Sequence, residues 1–268
     1  MLPTSLTMTP ARPRAPRTIV ALLGAATLLL SAGGARAQTS VEPTTRPLPD
    51  VVADAVPAVV AIHNQSRFGL VRGSGVVVDP SGLILTSYHV VAGARTVQVV
   101  IRPGAARRGP AVLRLRGRVI DGSRGRDLAL VRVAARDLPA LSPRTSPAPR
   151  PGETALSIGF ALSLPGGPSV SHGVVSGLNR SLPVDGRRLH HLLQTDAAVN
   201  RGSSGGPLLD RDGRLIGINA ALIADGYTQN VAFAVDIRQA LPLIRKALTA
   251  RPSATPAATG AAASALSG

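Results

Sequence analysis

From residue 51 to residue 249 the chain is a succession of short apolar runs, each stopped by a turn. Val76-Val77-Val78 ends at Asp79-Pro80-Ser81-Gly82, and Leu83-Ile84-Leu85-Thr86 follows. Residues 96–101 and 128–133 are further runs, and residues 112–119 alternate with period two. That alternation places Arg114, Arg116 and Arg118 on one face of a strand and the leucines on the other. After a Pro-rich break at 142–151 (SPRTSPAPRP) the style resumes at 154–159, 170–178, 190–195, 214–218 and 230–235. Asp210-Arg211-Asp212-Gly213 reads as a hairpin turn. Only residues 237–248 carry a helical period, interrupted by Pro242. Such a pattern excludes helical bundles and parallel β-α alternation. It predicts an all-β molecule of two halves, 51–141 and 152–249, built as barrels or sandwiches with one C-terminal helix. A cleft between two such halves is a natural place for a site.

The flanks read differently. Residues 11–17 hold three arginines, residues 18–32 are an apolar run, and Ala35-Arg36-Ala37 is a small-residue cleavage site. Basic, apolar and small segments in this order predict a secretory signal peptide over 1–37, cleaved after Ala37. The apolar run is short for a membrane span, so an uncleaved anchor is the weaker alternative. The membrane is then met only transiently, during export to a bacterial periplasm or the extracellular space. Residues 38–50 read as a linker, and the low-complexity residues 250–268 as a disordered tail.

Chemistry concentrates at Gly202-Ser203-Ser204-Gly205-Gly206-Pro207. Glycines around a serine allow a tight turn and bring backbone N–H groups toward a substrate carbonyl. The serine needs a base. The stretch also fits the G-x-S-x-G elbow of α/β-hydrolases, but that fold places its histidine after the serine. All the histidines here (63, 89, 172, 190 and 191) precede Ser204. His89 stands at the polar end of an apolar strand, and Asp127 at the entrance of another. His190 and His191 are adjacent, so a strand would point them to opposite faces, which disfavours a metal site. Without cysteine there is no disulfide, thiol nucleophile or thiolate-bound metal.

Three segments resemble the HtrA/Deg family of trypsin-like serine proteases. They are GSGVVVDPSGLILTSYHVVAGA around His89, RDLALVRV beginning with Arg126-Asp127, and QTDAAVNRGSSGGPLLDRDGRLIGINAA around Ser204. The resemblance covers about residues 50–248. It implies two six-stranded antiparallel β-barrels of the chymotrypsin type. By the family's motifs His89 is the general base, Asp127 orients it, Ser204 is the nucleophile, and the Gly202 and Ser204 amides form the oxyanion hole. Ala198, Ala220, Ala221 and Leu222 take the positions of the specificity pocket. They are small and uncharged, which suits small aliphatic side chains and disfavours cleavage after Arg or Lys. The implied activity is endopeptidase cleavage of unfolded or damaged proteins, with no cofactor. A catalytically weak relative that binds extended chains is the alternative.

This sequence departs from the family pattern in four places. Ser203 stands where Asn is usual. Ala220 stands where a hydroxyl residue often supports the aspartate. Too few residues follow the helix to form a PDZ domain. Residues 38–67 lack the aromatics on which the family's homotrimer is often built, which leaves trimerisation open.

The balance of charge is +16, and all but one of the basic residues are arginine. That bias reads as genome composition more than as a polyanion site. Arg107, Arg108 and the Arg114–Arg118 face leave room for weak contact with anionic envelope polymers. Aromatics are too few for single-stranded nucleic-acid stacking, so no nucleic-acid partner is expected.

Overall fold

The computed structural model of the protein describes residues 46–66, 69–102, 112–184, 186–220 and 230–250. The signal-peptide region, most of the 38–50 linker, the tail beyond residue 250, Arg107-Arg108 and Ala221-Leu222 lie outside the described residues. No helix among the described residues is long and apolar enough to cross a membrane.

The first half is a closed barrel of six antiparallel strands: β1 (Val59–Ser66), β2 (Gly69–Asp79), β3 (Leu83–Thr86), β4 (Thr96–Ile101), β5 (Leu113–Ser123) and β6 (Leu128–Val133). They run in the order β1-β2-β3-β6-β5-β4. The second half is a closed barrel of β7 (Thr154–Gly159), β8 (Ser169–Val184), β9 (Arg187–Thr195), β10 (Pro207–Leu209), β11 (Leu215–Ala220) and β12 (Ala232–Asp236). Its order, β7-β8-β9-β12-β11-β10, repeats that of the first barrel strand for strand. Closure removes the unpaired edges that open sheets expose.

Period-two alternation decides what each strand buries. All six strands of the first barrel feed one cluster that includes Val60, Ile62, Val77, Ile84, Val99 and Val131, with Leu113 and Leu115 packed against it; this is the barrel interior. The second barrel has its own interior of Ala155, Val175, Leu193, Leu208, Ile216 and Ala234. The alternate residues of the same strands form a third cluster. Val59, Val76, Leu83, Leu85, Leu128 and Leu130 of the first barrel meet Leu156, Ile158, Leu192, Ile218 and Val235 of the second. Strands β3 and β6 are therefore buried on both faces, which is why LILT and LALVRV read as continuous apolar runs. On β5 Arg114, Arg116 and Arg118 are exposed, on the face the sequence assigns to them.

Two helices complete the interface cluster. Helix α1 (Leu48–Ala55) begins inside the segment read as linker. Pro47 precedes it, Asp50 lies in its first turn, and Val51 and Ala55 are buried. Pro-rich composition masked a helix that Pro tolerates in its first turn. Helix α2 is described with the site below. Helix α3 (Leu241–Thr249) has Pro242 in its first turn, so the proline starts this helix and does not interrupt it. Its Leu243, Ile244 and Ala247 are buried, and the Lys246 ammonium donates to Asp121 at 2.8 Å.

The Pro-rich 142–151 segment is an anchored crossing between barrels. Pro143 bridges Leu215, and the Arg144 N–H donates to the Leu215 carbonyl at 2.8 Å. The Arg144 guanidinium, 6% exposed, meets Glu153 at 2.6 Å and Asp210 at 3.3 Å. Hydrogen bonding to Arg144 holds the Glu153 carboxyl below its ordinary value.

Candidate active site

Asp127 lies at the end of a single 3-10 turn, Arg124–Arg126, immediately before β6. Its φ of 54° is left-handed, a conformation that short polar residues adopt more readily than bulky ones. That twist lets both its carbonyl and its side chain reach one neighbour. The neighbour is α2 (Tyr88–Val91), a single helical turn after β3. The Tyr88 N–H donates to the Asp127 carbonyl at 3.1 Å, and the His89 N–H to Asp127 Oδ1 at 3.1 Å. Asp127 thus satisfies amides that a helix start would otherwise leave unpaired. The same carboxylate takes His89 Nδ1 through Oδ2 at 2.8 Å. The Asp127 side chain is fully buried, while the His89 side chain is 35% exposed. With Nδ1–H donated inward, the neutral ring keeps its lone pair on Nε2.

The Ser204 turn comes from the second barrel, in the connection between β9 and β10. It is tied to the first barrel through Ser74, a fully buried residue of β2. The Ser74 N–H donates to the Ser204 carbonyl at 2.8 Å, and Ser74 Oγ donates to the Gly202 carbonyl at 2.7 Å. Ser74 Oγ also accepts from the Phe160 N–H at 2.9 Å, and the Ser74 carbonyl accepts from Thr86 Oγ1 at 2.6 Å. Asn219 of β11 adds a second tie. Its carbonyl accepts from the Gly205 N–H at 2.8 Å and from Ser87 Oγ at 3.3 Å. The turn therefore sits against Thr86 and Ser87, two residues before His89. Glycine is required twice here. Gly202 has φ 93° with the Phe160 carbonyl oxygen where a Cβ would go. Gly205 has φ 86° with the Ser74 carbonyl oxygen and Thr86 Oγ1 in that place. Ser204 itself is buried to 6% exposure.

Of the pocket positions, Ala220 is fully buried at the end of β11, opposite Phe233, and Ala198 is exposed with its carbonyl accepting from Ser171 Oγ at 2.7 Å. Ala221 and Leu222 lie outside the described residues. Three residues that matter to this geometry were not assigned from sequence. Ser74 carried a signal, a small polar residue between two glycines in Gly73-Ser74-Gly75. Asn219 carried one too, as a polar residue ending an apolar run. Arg187 had none: its NH2 group lies 3.3 Å from Asp127 Oδ1, a pairing across sixty positions of sequence.

The family described as "Trypsin-like peptidase domain" matches residues 73–218. Among curated proteins, the chain is 39% identical over 171 residues to a serine protease of Synechocystis named HhoB, covering 63% of this chain and 38% of that protein. It is 35% identical over 179 residues to a periplasmic Do/HhoA-like serine protease of Haemophilus influenzae, covering 66% of this chain and 36% of that one. The chain thus spans little more than a third of the length of these relatives. Among solved structures, the HtrA-type protease AlgW with a tripeptide superposes with a TM-score of 0.66 at 29% identity, over 76% of this chain and 64% of that one.

Proposed function

The chain belongs to the trypsin-like peptidase family, with relatives of HtrA/DegP type, and we propose that it acts as an exported serine endopeptidase on unfolded polypeptides. The observation that carries this reading is the 2.8 Å pairing of His89 with the fully buried Asp127, beside the glycine-bounded Ser204 turn. Asp127 fixes the imidazole with Nδ1–H inward and stabilises the imidazolium that forms. Nε2 takes the Ser204 proton as Oγ attacks the scissile carbonyl. The Gly202 and Ser204 amides hold the developing oxyanion. His89 then protonates the leaving amine, and the acyl group stays on Ser204. Water, activated by the same imidazole, hydrolyses that ester and restores the serine.

Substrate would bind as an extended segment through backbone hydrogen bonds beside the site, and unfolded chains offer such segments while folded ones mostly do not. The small, uncharged positions Ala198, Ala220, Ala221 and Leu222 favour short aliphatic side chains before the cleaved bond. AlgW, the HtrA-type protease that superposes on this chain, is described with a tripeptide, which is in keeping with a peptide substrate. Export rests on the 1–37 segment and is supported by the periplasmic naming of the Haemophilus relative.

Labelling with a fluorophosphonate, located by mass spectrometry, tests the nucleophile. The expected result is a single adduct on Ser204 that disappears in His89→Ala. An adduct elsewhere, or one that survives His89→Ala at full rate, would sink the assignment. Cleavage-site mapping on an unfolded protein tests specificity; cuts dominated by Arg or Lys would overturn the aliphatic preference. Sequencing of the mature N-terminus after cell fractionation tests export, with Gln38 expected first.

A further inference from the structure

The Asp127 carboxylate is held from both barrels at once. From the first barrel, His89 takes Oδ2 through Nδ1 and Oδ1 through its backbone N–H. From the second barrel, Arg187 NH2 reaches the same Oδ1 at 3.3 Å. Arg187 is the first residue of β9, paired with Val184 at the turn of the β8–β9 hairpin. Its side chain is only 17% exposed, and among the described residues its buried Nε has no hydrogen-bond partner. A guanidinium taken this far out of water is normally compensated by an anion, and among the described residues Asp127 is the anion paired with it.

The hairpin that carries Arg187 is fixed further along. Ser181 Oγ lies 3.0 Å from His190 Nδ1. The Gln239 side-chain amide donates to the carbonyls of His190 and His191, each at 3.2 Å. These bonds brace β9 where it passes the Arg124–Arg126 turn that presents Asp127.

We propose that Arg187 is a positioning residue for the Asp127–His89 pair. It adds to Oδ1, beside the His89 backbone N–H, a second donor that comes from the other barrel, and so fixes the rotation of the Asp127 carboxylate. A carboxylate held at Oδ2 and by one backbone amide can still tilt about its Cβ–Cγ bond. A charge-assisted bond to Oδ1 from a separate element restricts that tilt and keeps Oδ2 in line with Nδ1. The Arg187 charge also offsets part of the Asp127 charge, so its benefit is geometric. A consequence is that the aspartate is correctly set only while the β8–β9 hairpin is docked. Acting through Asp127, Arg187 governs turnover and not binding.

This proposal rests on the triad reading, and its test separates the two. Wild type, Arg187→Ala and Arg187→Lys are compared as full chains for hydrolysis of an unfolded protein, for the fluorophosphonate rate at Ser204 and for thermal unfolding. The low-field proton NMR signal of the His89 Nδ1–H is recorded alongside. The expected result is a loss in kcat of about 10-fold or more in Arg187→Ala with KM within about 2-fold, the range for losing a hydrogen bond to a charged group. Arg187→Lys is expected to recover part of the loss. The Nδ1–H signal should shift or broaden in Arg187→Ala while the fold is retained. A wild-type chain that never labels at Ser204 defeats the triad reading. A wild type that labels, with an Arg187→Ala that labels at the same rate and keeps its Nδ1–H signal, defeats this proposal alone. A rise in KM with kcat unchanged would also overturn it, by making Arg187 a substrate contact. Should Arg187→Ala fail to fold, Arg187→Lys decides: full activity with an unmoved signal counts against the proposal, and reduced kcat with a displaced signal supports it.

Discussion

The two barrels share one strand order and divide the candidate site residues between their connections. In the first barrel the link from the third to the fourth strand carries α2 and His89. In the second barrel the same link, from β9 to β10, carries the Ser204 turn. Asp127 occupies the link from the fifth to the sixth strand of the first barrel. The counterpart in the second barrel runs from β11 to β12, and residues 221–229 of it lie outside the described residues. Equivalent positions in a repeated topology thus hold a helix in one case and a glycine-rich turn in the other. The helical link is held by donating its first amides to Asp127. The glycine link is held by offering its carbonyls to Ser74 of the other barrel. The first barrel carries His89 and the second the Ser204 turn, and the two barrels share one apolar interface cluster.

If the two links act as one unit, breaking either should cost as much as breaking both. His89→Ala, Ser204→Ala and the double variant are expected to lose activity equally, by on the order of a million-fold, measured by single-turnover hydrolysis. Additive losses would mean the two links do not work together. Asp127→Asn should fall about ten-thousand-fold, because the amide cannot hold the needed tautomer.

The next effect separates the links by their steric demands. Gly205→Ala puts a methyl against the Ser74 carbonyl oxygen and Thr86 Oγ1 at φ 86°. It should abolish Ser204 labelling and cost more than about 2 kcal/mol in denaturant unfolding. Gly93, in the α2 link, has φ 76° and no atom within 4 Å of the place a Cβ would take. Gly93→Ala should cost only about 1 kcal/mol, the strain of the left-handed backbone, and leave labelling intact. Equal costs would remove the distinction between a crowded link and an open one.

A smaller difference lies in how each barrel is tethered. Arg144→Met removes the buried cation between Asp210 and Glu153, leaves them only the more exposed Arg214 and Arg150, and should cost about 2 kcal/mol. The pH dependence carries a sign. Glu153 has a lowered value in the folded chain, chiefly from its hydrogen bond to Arg144. Its contribution is fully present above the ordinary glutamate value of roughly 4.3 and is lost as pH falls from there through the lowered value of the folded chain. Acid titration of the unfolding midpoint should therefore be flatter there in Arg144→Met than in the wild type. Lys246→Ala breaks the exposed pair that ties α3 to Asp121 of the first barrel, and should cost under about 0.5 kcal/mol. A Lys246 effect as large as that of Arg144 would show that burial does not govern these tethers.

Much of this architecture was legible in the residues themselves. The runs 83–86, 96–101, 128–133 and 154–159 are strands with those bounds, each a short segment dense in aliphatic and β-branched residues. Helix α1 was not legible. Pro47 and Pro49 punctuate its start, and its apolar stripe has meaning only against the interface cluster it covers. The candidate site divides in the same way. His89, Asp127 and the Ser204 turn stand out by motif and by order along the chain. The ties made by Ser74 were half visible in its flanking glycines.

The sequence by itself determined the local matters: the period-two runs, the turns that bound them, the Pro-rich crossing, and a serine whose neighbouring glycines permit a left-handed turn. Each depends on residues near one another in the chain, where backbone preference and alternation act directly. Only the tertiary structure decided which face of β3 and β6 turns inward and which meets the other barrel. It also decided that Ser74 clips the two barrels together and that Arg187 reaches Asp127. Those contacts join residues far apart in sequence, and they exist because closing and packing two barrels fixes their surfaces against each other. No local preference of an arginine at the start of a strand encodes an aspartate on the neighbouring barrel.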